Sequence, residues 1–297
     1  MTYLLAAALA AFCLAAPVTA QTSPGPTSLD PVLAVESATG AILIRRRSDG
    51  AEWTGGGERV ERRMLPASTF KIPNSRILLE TGIVADPYAD RLAWDAVERS
   101  PGWDQDQSLA TAFRRSAVWA FQHWARHFGH DRMGELVSRL EYENGEIGGP
   151  DDAALFWLEG PLGISARDQV DFLQRLDVRD LPFRPEVQEA VIDIMLHDEN
   201  EAREAPWALY AKTGWAIRDA PNHGWFVGWL EAGEGDTAAT WLFAVKVDLD
   251  WETGDGALRE RLARAALVKA GGPEILGCNW SVCLHTLKAI ALNKNFM

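Results

Sequence analysis

The chain has 297 residues, and its 29 basic and 42 acidic side chains give a net charge of −13. This acidic balance argues against nucleic acid and anionic membranes as partners. Three cysteines are too few for a disulfide scaffold, and Cys278 and Cys283 lack the histidine or acid spacing of a metal site. The length suits one large domain, or two lobes that share a core, once a leader is removed.

Residues 1–20 have the composition of a secretory signal peptide. They carry no charged side chain, contain an apolar run, and end in the small-x-small site Val18-Thr19-Ala20. We therefore expect an exported, periplasmic protein with no stable membrane association. An uncleaved anchor is the alternative, because the apolar run approaches the shortest length that spans a bilayer. A Pro-, Ser- and Thr-rich lead-in over residues 21–31 is expected to be flexible.

Two apolar runs begin the folded part of the chain. Val32–Glu36 and Ala41–Arg45 are rich in strand-forming residues and predict a hairpin that turns at residues 37–40. Residues 86–106, rich in Pro, Asp and Trp, predict a surface excursion. Helical periodicity follows over residues 109–124 and 133–140.

The second half changes from helical to strand-like patterns. Helices are expected at Ser165–Leu176, with a capping box of Ser165 and Asp168, and at Glu186–Leu196. Three strand-like runs follow, and a helix ended by glycine closes the pattern. These runs are residues 208–215, 224–231 and 240–247, and the helix covers residues 258–269.

Strands at both ends of the chain with helices between them predict a fold of the α/β class, of the α+β type. We expect an antiparallel sheet built from both chain termini, flanked by helices, with an inserted helical lobe. This domain is placed at residues 32–276. Residues 277–297 form a tail of unknown role, for which an added amphipathic segment and a read-through past an altered gene end are both open.

A hydroxyl and an amine three residues apart, Ser68 and Lys71, lie where a helix is expected to begin. Residues i and i+3 share one helical face, so Lys71 can take the Ser68 proton, and the free N–H groups of the helix start favour an anion. Phe70 and Ile72 favour desolvation of the Lys71 ammonium. In isolation, however, a helix cap followed by a solvated lysine is the better interpretation of such a motif.

Two later motifs favour the catalytic interpretation of Ser68 and Lys71 over the helix cap. Ser116-Ala117-Val118 offers a second hydroxyl after a helical run, and Lys212-Thr213-Gly214 lies in a predicted strand. Lys212 supplies a fixed cation, Thr213 a hydroxyl donor, and Gly214 room for a ligand backbone against the strand edge. The order S-x-x-K, S-x-V, K-T-G resembles the penicillin-recognising serine acyltransferases.

Longer stretches narrow the resemblance. They are Pro66–Ser75, Ser116–Trp119, Tyr142-Glu143-Asn144, Ile147–Gly149, Phe156–Leu162, Ile164–Ala166 and Lys212–Trp215. Together they resemble the class D, oxacillinase-type β-lactamases over roughly residues 33–276. The first and fifth stretches are not shared by the other serine β-lactamase classes. Val118 replaces the asparagine of the S-D-N motif, and no glutamate motif of the class A kind is present.

The resemblance implies hydrolysis of β-lactam antibiotics through a serine acyl-enzyme. Ser68 would be acylated, and Lys71 would carry CO2 as a carbamate (N6-carboxylation) and serve as general base for acylation and deacylation. Trp157 would donate its indole N–H to this carbamate, and Ser116 would relay a proton to the leaving nitrogen. CO2 or bicarbonate would be needed, but no metal and no other cofactor.

The resemblance also assigns the substrate-binding residues. Val118 and Phe70 would keep the base dry, and the backbone N–H groups of Ser68 and Trp215 would form the oxyanion hole. Arg259 would anchor the substrate carboxylate with help from Lys212 and Thr213. The full set is Phe70, Val118, Lys212, Thr213, Gly214, Trp215 and Arg259.

Two further features bear on the predicted site: a replaced glycine and a pair of histidines. Glu143 replaces the family's glycine, and if that position needs a positive φ, the glutamate costs roughly 1 to 2 kcal/mol or the loop is reshaped. His123 and His127 have the spacing of a zinc helix, but Trp124 stands where a zinc protease needs its glutamate, so no metal is expected.

Three functions remain open at this point: a hydrolase of β-lactams, a peptidoglycan transpeptidase or carboxypeptidase, and a β-lactam sensor that stays acylated. A sensor of this fold would need an anchor and a signalling domain, which the sequence does not provide. The sequence leaves open the β-lactam spectrum and whether the protein is a monomer or a homodimer.

Overall fold

The computed structural model describes residues 27–197, 206–250 and 252–273. The predicted signal peptide, residues 21–26 of the lead-in, and the tail with Cys278 and Cys283 lie outside these residues. The described part combines one sheet with helices on both of its faces. The predicted α+β architecture is confirmed.

Six strands form the sheet, in the order β1-β3-β2-β6-β5-β4. All neighbours are antiparallel except β1 and β3, which run parallel, so the predicted all-antiparallel pairing holds for every pair but this one. Strand β2 pairs with β6, with Ile42 opposite Val245, which joins the two ends of the described chain as predicted. The strands are β1 (Thr27–Ser28), β2 (Gly40–Arg46), β3 (Glu52–Gly55), β4 (Trp207–Ala216), β5 (His223–Ala232) and β6 (Ala239–Asp248).

Eight α-helices occur in the described residues. They are α1 (Asp30–Val35), α2 (Lys71–Glu80), α3 (Leu109–Arg114), α4 (Val118–Phe128), α5 (His130–Arg139), α6 (Ala166–Asp177), α7 (Pro185–Met195) and α8 (Leu258–Lys269). Helices α1 and α8 cover one face of the sheet, and α6 with the helical lobe covers the other. None of these helices is long and apolar enough to cross a membrane.

Alternation along β2 explains why the sheet needs helices on both sides. Ile42 and Ile44 join the core beneath α8, whereas Ala41 and Leu43 join the larger core that contains the lobe. Successive side chains of a strand point to opposite faces, so a run that is apolar at every position requires two covered faces. The sheet is therefore the boundary between two cores.

Helix α2 is the centre of the larger core. Its first nine residues are buried, so it has no solvent face, as expected for a helix enclosed on all sides. A 3₁₀ turn, Ala67–Phe70, leads directly into it. The polar residues of this helix therefore sit in the protein interior, where each must find a partner or change its charge.

The predicted hairpin at the beginning of the domain is wrong. Val32–Glu36 falls largely in helix α1, which has Pro31 in its first turn, and the true hairpin is formed by β2 and β3. A short apolar run fits a buried helix as well as a strand, and the proline at the helix start favours the helix. The lead-in was also drawn too long, because Thr27–Ser28 pairs with β3 and Leu29 is buried.

Most other elements agree with their predictions. Ser165 caps α6, with Asp168 as the reciprocal partner in a capping box. Helix α8 covers the predicted residues, and Gly271 beyond its end has a φ of 86°. Residues 86–106 contain no helix or strand longer than an isolated bridge.

Candidate active site

Ser68 lies in the 3₁₀ turn at the entrance of α2. The preceding Ala67 has a φ of 49°, a left-handed conformation that costs an L-residue roughly 1 to 2 kcal/mol. Hydrogen bonds hold this strained turn: the Thr69 hydroxyl donates to the carbonyl of Pro66 at 2.8 Å, and the Gln169 amide donates to the Thr69 hydroxyl at 2.8 Å. The position of Ser68 is thus fixed from within the turn and from α6.

Lys71 is completely buried and points at Ser68. Its Nζ donates to the Ser68 Oγ at 2.9 Å and lies 5.1 Å from the centre of the Phe121 ring. Burial lowers the pKa of Lys71 to about 7, and no carboxylate offsets that effect. The amine is therefore available as a base near neutral pH, which an exposed lysine is not.

Trp157 is buried against Phe70, which lies between Ser68 and Lys71 in the sequence. Its ring stacks on Phe70, with centroids 5.5 Å apart, and meets Phe156 edge-on. Within the described residues, the indole Nε1 has no hydrogen-bond partner. A buried indole N–H normally has one.

Ser116 and Lys212 form a second hydroxyl and amine pair. Ser116 lies between α3 and α4 with a φ of 53°, and its Oγ accepts a hydrogen bond of 2.5 Å from the Lys212 Nζ. The same amine donates to the carbonyl of Thr213 at 2.9 Å and lies over the Phe113 ring. Burial, and then the positive charges of Lys71 and Arg259, hold the pKa of Lys212 well below its usual value.

Gly214 has a role that its prediction did not include. A Cβ at this position would lie 3.0 Å from the carbonyl oxygen of Pro66 and 3.1 Å from the Thr69 Cγ2. Glycine was expected to leave room for a ligand backbone. That role stays a prediction, and Gly214 lines the cleft. In addition, the missing side chain lets β4 lie close against the Ser68 turn, because a Cβ would force its neighbours to move by a few tenths of an ångström.

Arg259 reaches the cleft from the first turn of α8. Its Nη1 donates to the carbonyl of Gly214 at 3.0 Å, and its guanidinium lies 5.2 Å from the Trp215 ring centre. Burial lowers its pKa, although arginine remains charged at neutral pH. The resulting fixed cation lies along the same strand as Lys212.

These groups surround a cleft of about 440 Å³. Of the predicted residues, all but the buried Phe70, Lys71, Trp157 and Lys212 line it directly. Glu159 and Arg218 form an ion pair that joins its two sides. The lining is Ser68, Trp103, Ser116, Val118, Gln122, Leu155, Leu158, Glu159, Thr213, Gly214, Trp215, Ile217, Arg218 and Arg259.

Sequence reasoning missed several residues of this site. Phe121 lies against the Lys71 amine, although it was not among the residues expected to do so. Its signal was available, because Phe121 follows Val118 by three residues and so shares its helical face. Gln169 and the Glu159–Arg218 pair carried no signal, since each depends on contacts between distant segments.

Glu143 adopts the left-handed conformation that was considered for it, with a φ of 50°. Its carboxylate is 2.9 Å from the Arg63 guanidinium. Burial, followed by the neighbouring Asp168, raises the pKa of Glu143 to about 8. The histidine pair His123 and His127 is a separate case. In residues 27–197, 206–250 and 252–273, no group of three His, Cys, Asp or Glu side chains could hold a metal.

The chain matches known proteins over most of its length. Residues 32–268 match the family described as penicillin binding protein transpeptidase domain. The chain is 36% identical over 233 residues to the β-lactamase OXA-15 of Pseudomonas aeruginosa, which covers 77% of this chain and 79% of that protein.

The chain also matches solved structures of class D β-lactamases. The class D β-lactamase YbXI from Nostoc matches with a TM-score of 0.76 and 38% identity, over 82% of this chain and 98% of that one. FUS-1 (OXA-85) from Fusobacterium nucleatum subsp. polymorphum, also class D, matches with a TM-score of 0.74 and 32% identity, over 81% and 96% of the two chains.

Proposed function

The chain belongs to the class D β-lactamases and is a serine hydrolase of β-lactams, and we propose that Lys71 works as the general base after it has added CO2. The observation that supports this proposal is a buried amine in contact with the serine hydroxyl, in a core that also holds an unpartnered indole. The Lys71 amine, with a pKa of about 7, donates to Ser68, and Trp157, whose indole N–H has no partner within the described residues, stacks on Phe70, the residue before Lys71.

CO2 adds only to the neutral amine, and the addition releases one proton and leaves an anionic carbamate. An exposed lysine with a pKa near about 10.4 is rarely neutral at pH 7, whereas Lys71 is neutral in about half of the molecules. A buried anion needs hydrogen bonds to persist. Trp157 would donate one and the Ser68 hydroxyl another, which gives the unpartnered indole N–H a function.

In acylation, Lys71 in this form would take the Ser68 proton while the Ser68 oxygen attacks the β-lactam carbonyl. The backbone N–H groups of Ser68 and Trp215 would stabilise the oxyanion. As the carbon–nitrogen bond breaks, Ser116 would pass a proton to the leaving nitrogen. Lys212 would replace that proton through the hydrogen bond that joins the two side chains.

Before deacylation, Lys71 would release the proton that it took from Ser68 and Lys212 would regain one, so that the net transfer is from Ser68 to the leaving nitrogen. Lys71 would then take a proton from the water that attacks the Ser68 ester, and this proton would return to the Ser68 oxygen as the ester bond breaks. Trp157 would hold Lys71 in place for this step. Arg259, Lys212 and Thr213 would bind the substrate carboxylate, a charge that does not change during the reaction. These contacts would therefore affect KM more than kcat.

We propose to test this mechanism by 13C NMR of the purified protein in 13C-bicarbonate. The wild type should give one carbamate signal and should lose hydrolysis of a chromogenic cephalosporin when CO2 is removed. Trp157→Phe should weaken the signal and slow deacylation more than acylation. Trp241→Phe is the matched control, because its indole N–H is also buried but donates to Ala270 on the other face of the sheet.

The mechanism is wrong if the wild type gives no carbamate signal and its activity does not respond to bicarbonate between pH 5 and 8. Intact-protein mass spectrometry also separates hydrolysis from the peptidase and sensor alternatives. A hydrolase should return rapidly to its free mass after one equivalent of substrate, whereas a sensor or a peptidase would stay acylated.

A further inference from the structure

Two buried side chains of strand β5 meet the segment that leads into Ser68. The carbonyl oxygen of Leu65, three residues before Ser68, accepts a hydrogen bond of 2.9 Å from Trp225 Nε1 and lies 3.0 Å from His223 Nε2. His223 and Trp225 both have no exposed surface. Neither side chain lines the cleft, so any effect of the two on the reaction must pass through Leu65.

The protonation of His223 decides whether it donates to Leu65. Its other ring nitrogen, Nδ1, lies 3.3 Å from the carbonyl oxygen of Pro221 and 3.7 Å from the Asp219 carboxylate. Burial lowers the pKa of His223, so at neutral pH the ring has a single N–H. With that hydrogen on Nδ1, a bare Nε2 would face the Leu65 oxygen at 3.0 Å, which is the closer of the two carbonyl contacts. The hydrogen therefore lies on Nε2, and the Leu65 carbonyl uses both of its lone pairs.

The turn that carries Ser68 needs such support. Ala67 has a φ of 49°, and a residue in this strained conformation keeps it only where its surroundings hold it. On the side that follows Ser68, the hydrogen bonds of Thr69 restrain the turn. On the side that precedes it, Leu65 is one residue away from Ala67. The two bonds to the Leu65 carbonyl therefore hold the end of the turn that Thr69 does not reach.

Strand pairing places this support beside the other half of the reaction centre. Trp225 and His223 lie opposite the two residues that flank Trp215 on β4. Trp215 supplies the second backbone N–H of the proposed oxyanion hole. Through Leu65, the two side chains thus tie the Ser68 turn to the pair of strands that carries this N–H.

Given the proposed function, in which Ser68 is the nucleophile, we infer that His223 is a positioning residue for acylation, with Trp225 as its partner. By fixing the Leu65 carbonyl, the two donors keep the strained turn in the conformation that directs the Ser68 hydroxyl at the β-lactam carbonyl. Attack needs close and aligned atoms, and a displacement of about 1 Å can cost roughly 100-fold in rate. Substrate binding should change little, because neither side chain lines the cleft.

Two variants of His223 that differ in reach test this role. The amide nitrogen of glutamine takes the place of Nε2 and can donate to Leu65, whereas that of asparagine takes the place of Nδ1 and cannot. In single-turnover acylation by a chromogenic cephalosporin, His223→Asn should lower the saturating rate by about 10- to 100-fold. His223→Gln should stay within about threefold of the wild type. The substrate concentration at half-saturation should stay within about twofold in both variants.

A pair of tryptophan variants repeats the test at the second donor. Trp225→Phe removes the indole N–H that bonds to Leu65 and should lower the saturating acylation rate by about 10-fold. Trp241→Phe is the control, because it removes a buried indole N–H that bonds to Ala270 on the other face of the sheet. It should lose a similar free energy of unfolding in urea but keep the acylation rate. This pair decides the question if His223→Asn does not fold.

The role of His223 is refuted if its glutamine and asparagine variants acylate at the same rate, or if Trp225→Phe acylates as fast as Trp241→Phe. Peptide mapping of the acyl adduct in the wild type separates this result from a failure of the proposed function. An adduct on a residue other than Ser68 would refute the proposed function, and the role of His223 with it. An adduct on Ser68, together with equal rates in the paired variants, would refute the role of His223 alone.

Discussion

The first residue and the middle of helix α2 each bury a cation in the same core, and the two cations behave differently. Lys71, at the first residue, has a pKa lowered to about 7 and a serine hydroxyl in contact. Arg76, five residues on, has a pKa lowered to about 10 by burial, and within the described residues its guanidinium packs on an aromatic ring without a hydrogen-bond partner. Burial therefore turns lysine into a neutral base, but it leaves arginine as a charge that needs a counter-ion.

Lys71→Arg replaces the lysine that can lose its proton with an arginine that cannot, and should have the largest effect. The guanidinium cannot lose its proton near neutral pH and cannot add CO2, so kcat/KM should fall by about 10³-fold or more. Steady-state hydrolysis of a chromogenic cephalosporin measures the change, and circular dichroism checks that the variant is folded. Activity within tenfold of the wild type would mean that a fixed cation suffices at this position.

The pH dependence of hydrolysis by the wild type tests the lowered pKa of Lys71. Below a pKa of about 7 the Lys71 amine holds its proton, so the fraction that can add CO2 falls about tenfold for each pH unit. In buffer with limiting bicarbonate, kcat/KM should fall by about 50-fold between pH 7 and pH 5. Added bicarbonate should restore part of it, and a flat profile over this range would contradict the assignment of Lys71 as base.

Arg76→Met tests the second buried cation of the helix. Methionine removes a buried charge and keeps an unbranched apolar side chain, so the free energy of unfolding should rise by about 1 to 2 kcal/mol. Urea unfolding measures it, with Arg132→Met as an exposed control that should stay within about 0.5 kcal/mol of the wild type. A loss of stability in Arg76→Met would show that the guanidinium already has a partner.

Glu143 extends the comparison to an acid and should show the smallest effect. Its folded-state pKa of about 8 lies above the ordinary value of 4.5, so the folded protein holds a proton that the unfolded chain releases between these values. Stability should therefore fall as pH rises from 5 to 8, and Glu143→Gln should lack that fall.

At pH 8 the Gln variant should be more stable than the wild type by about 1 kcal/mol, a modest figure because Arg63 and water partly solvate the carboxylate. Urea unfolding at both pH values measures the difference. Equal pH slopes for the two proteins would place the Glu143 pKa near its ordinary value.

The motifs predicted which residues meet, because their residue types carry the chemistry. Ser68 and Lys71 share a helical start, and Ser116 and Lys212 are in contact although they lie far apart in sequence. What the motifs could not give was the reason for each contact. Gly214 is small because β4 touches the Ser68 turn, a fact that depends on how two segments pack.

The fold was predictable where the hydrophobic period was long and clear. Strands β4, β5 and β6 and helix α8 were placed within one or two residues, whereas the six-residue helix α1 was taken for a strand. Arg76 gave no signal at all, because a single arginine in an apolar helix looks like an ordinary solvated residue. Its burial follows from the enclosure of α2 on every side, which only the assembled core reveals.

The pairing of β2 with β6 also sets the order in which the enzyme becomes active during folding. About two hundred residues separate Ile42 from Val245, so this pairing closes a long loop and is expected to form late, after the local helices. Ser68 enters the cleft from inside that loop, and Lys212 enters from β4, which joins the sheet through β5 and β6. Recovered hydrolysis during refolding therefore marks the completion of the sheet, and the helical lobe can form earlier without any activity.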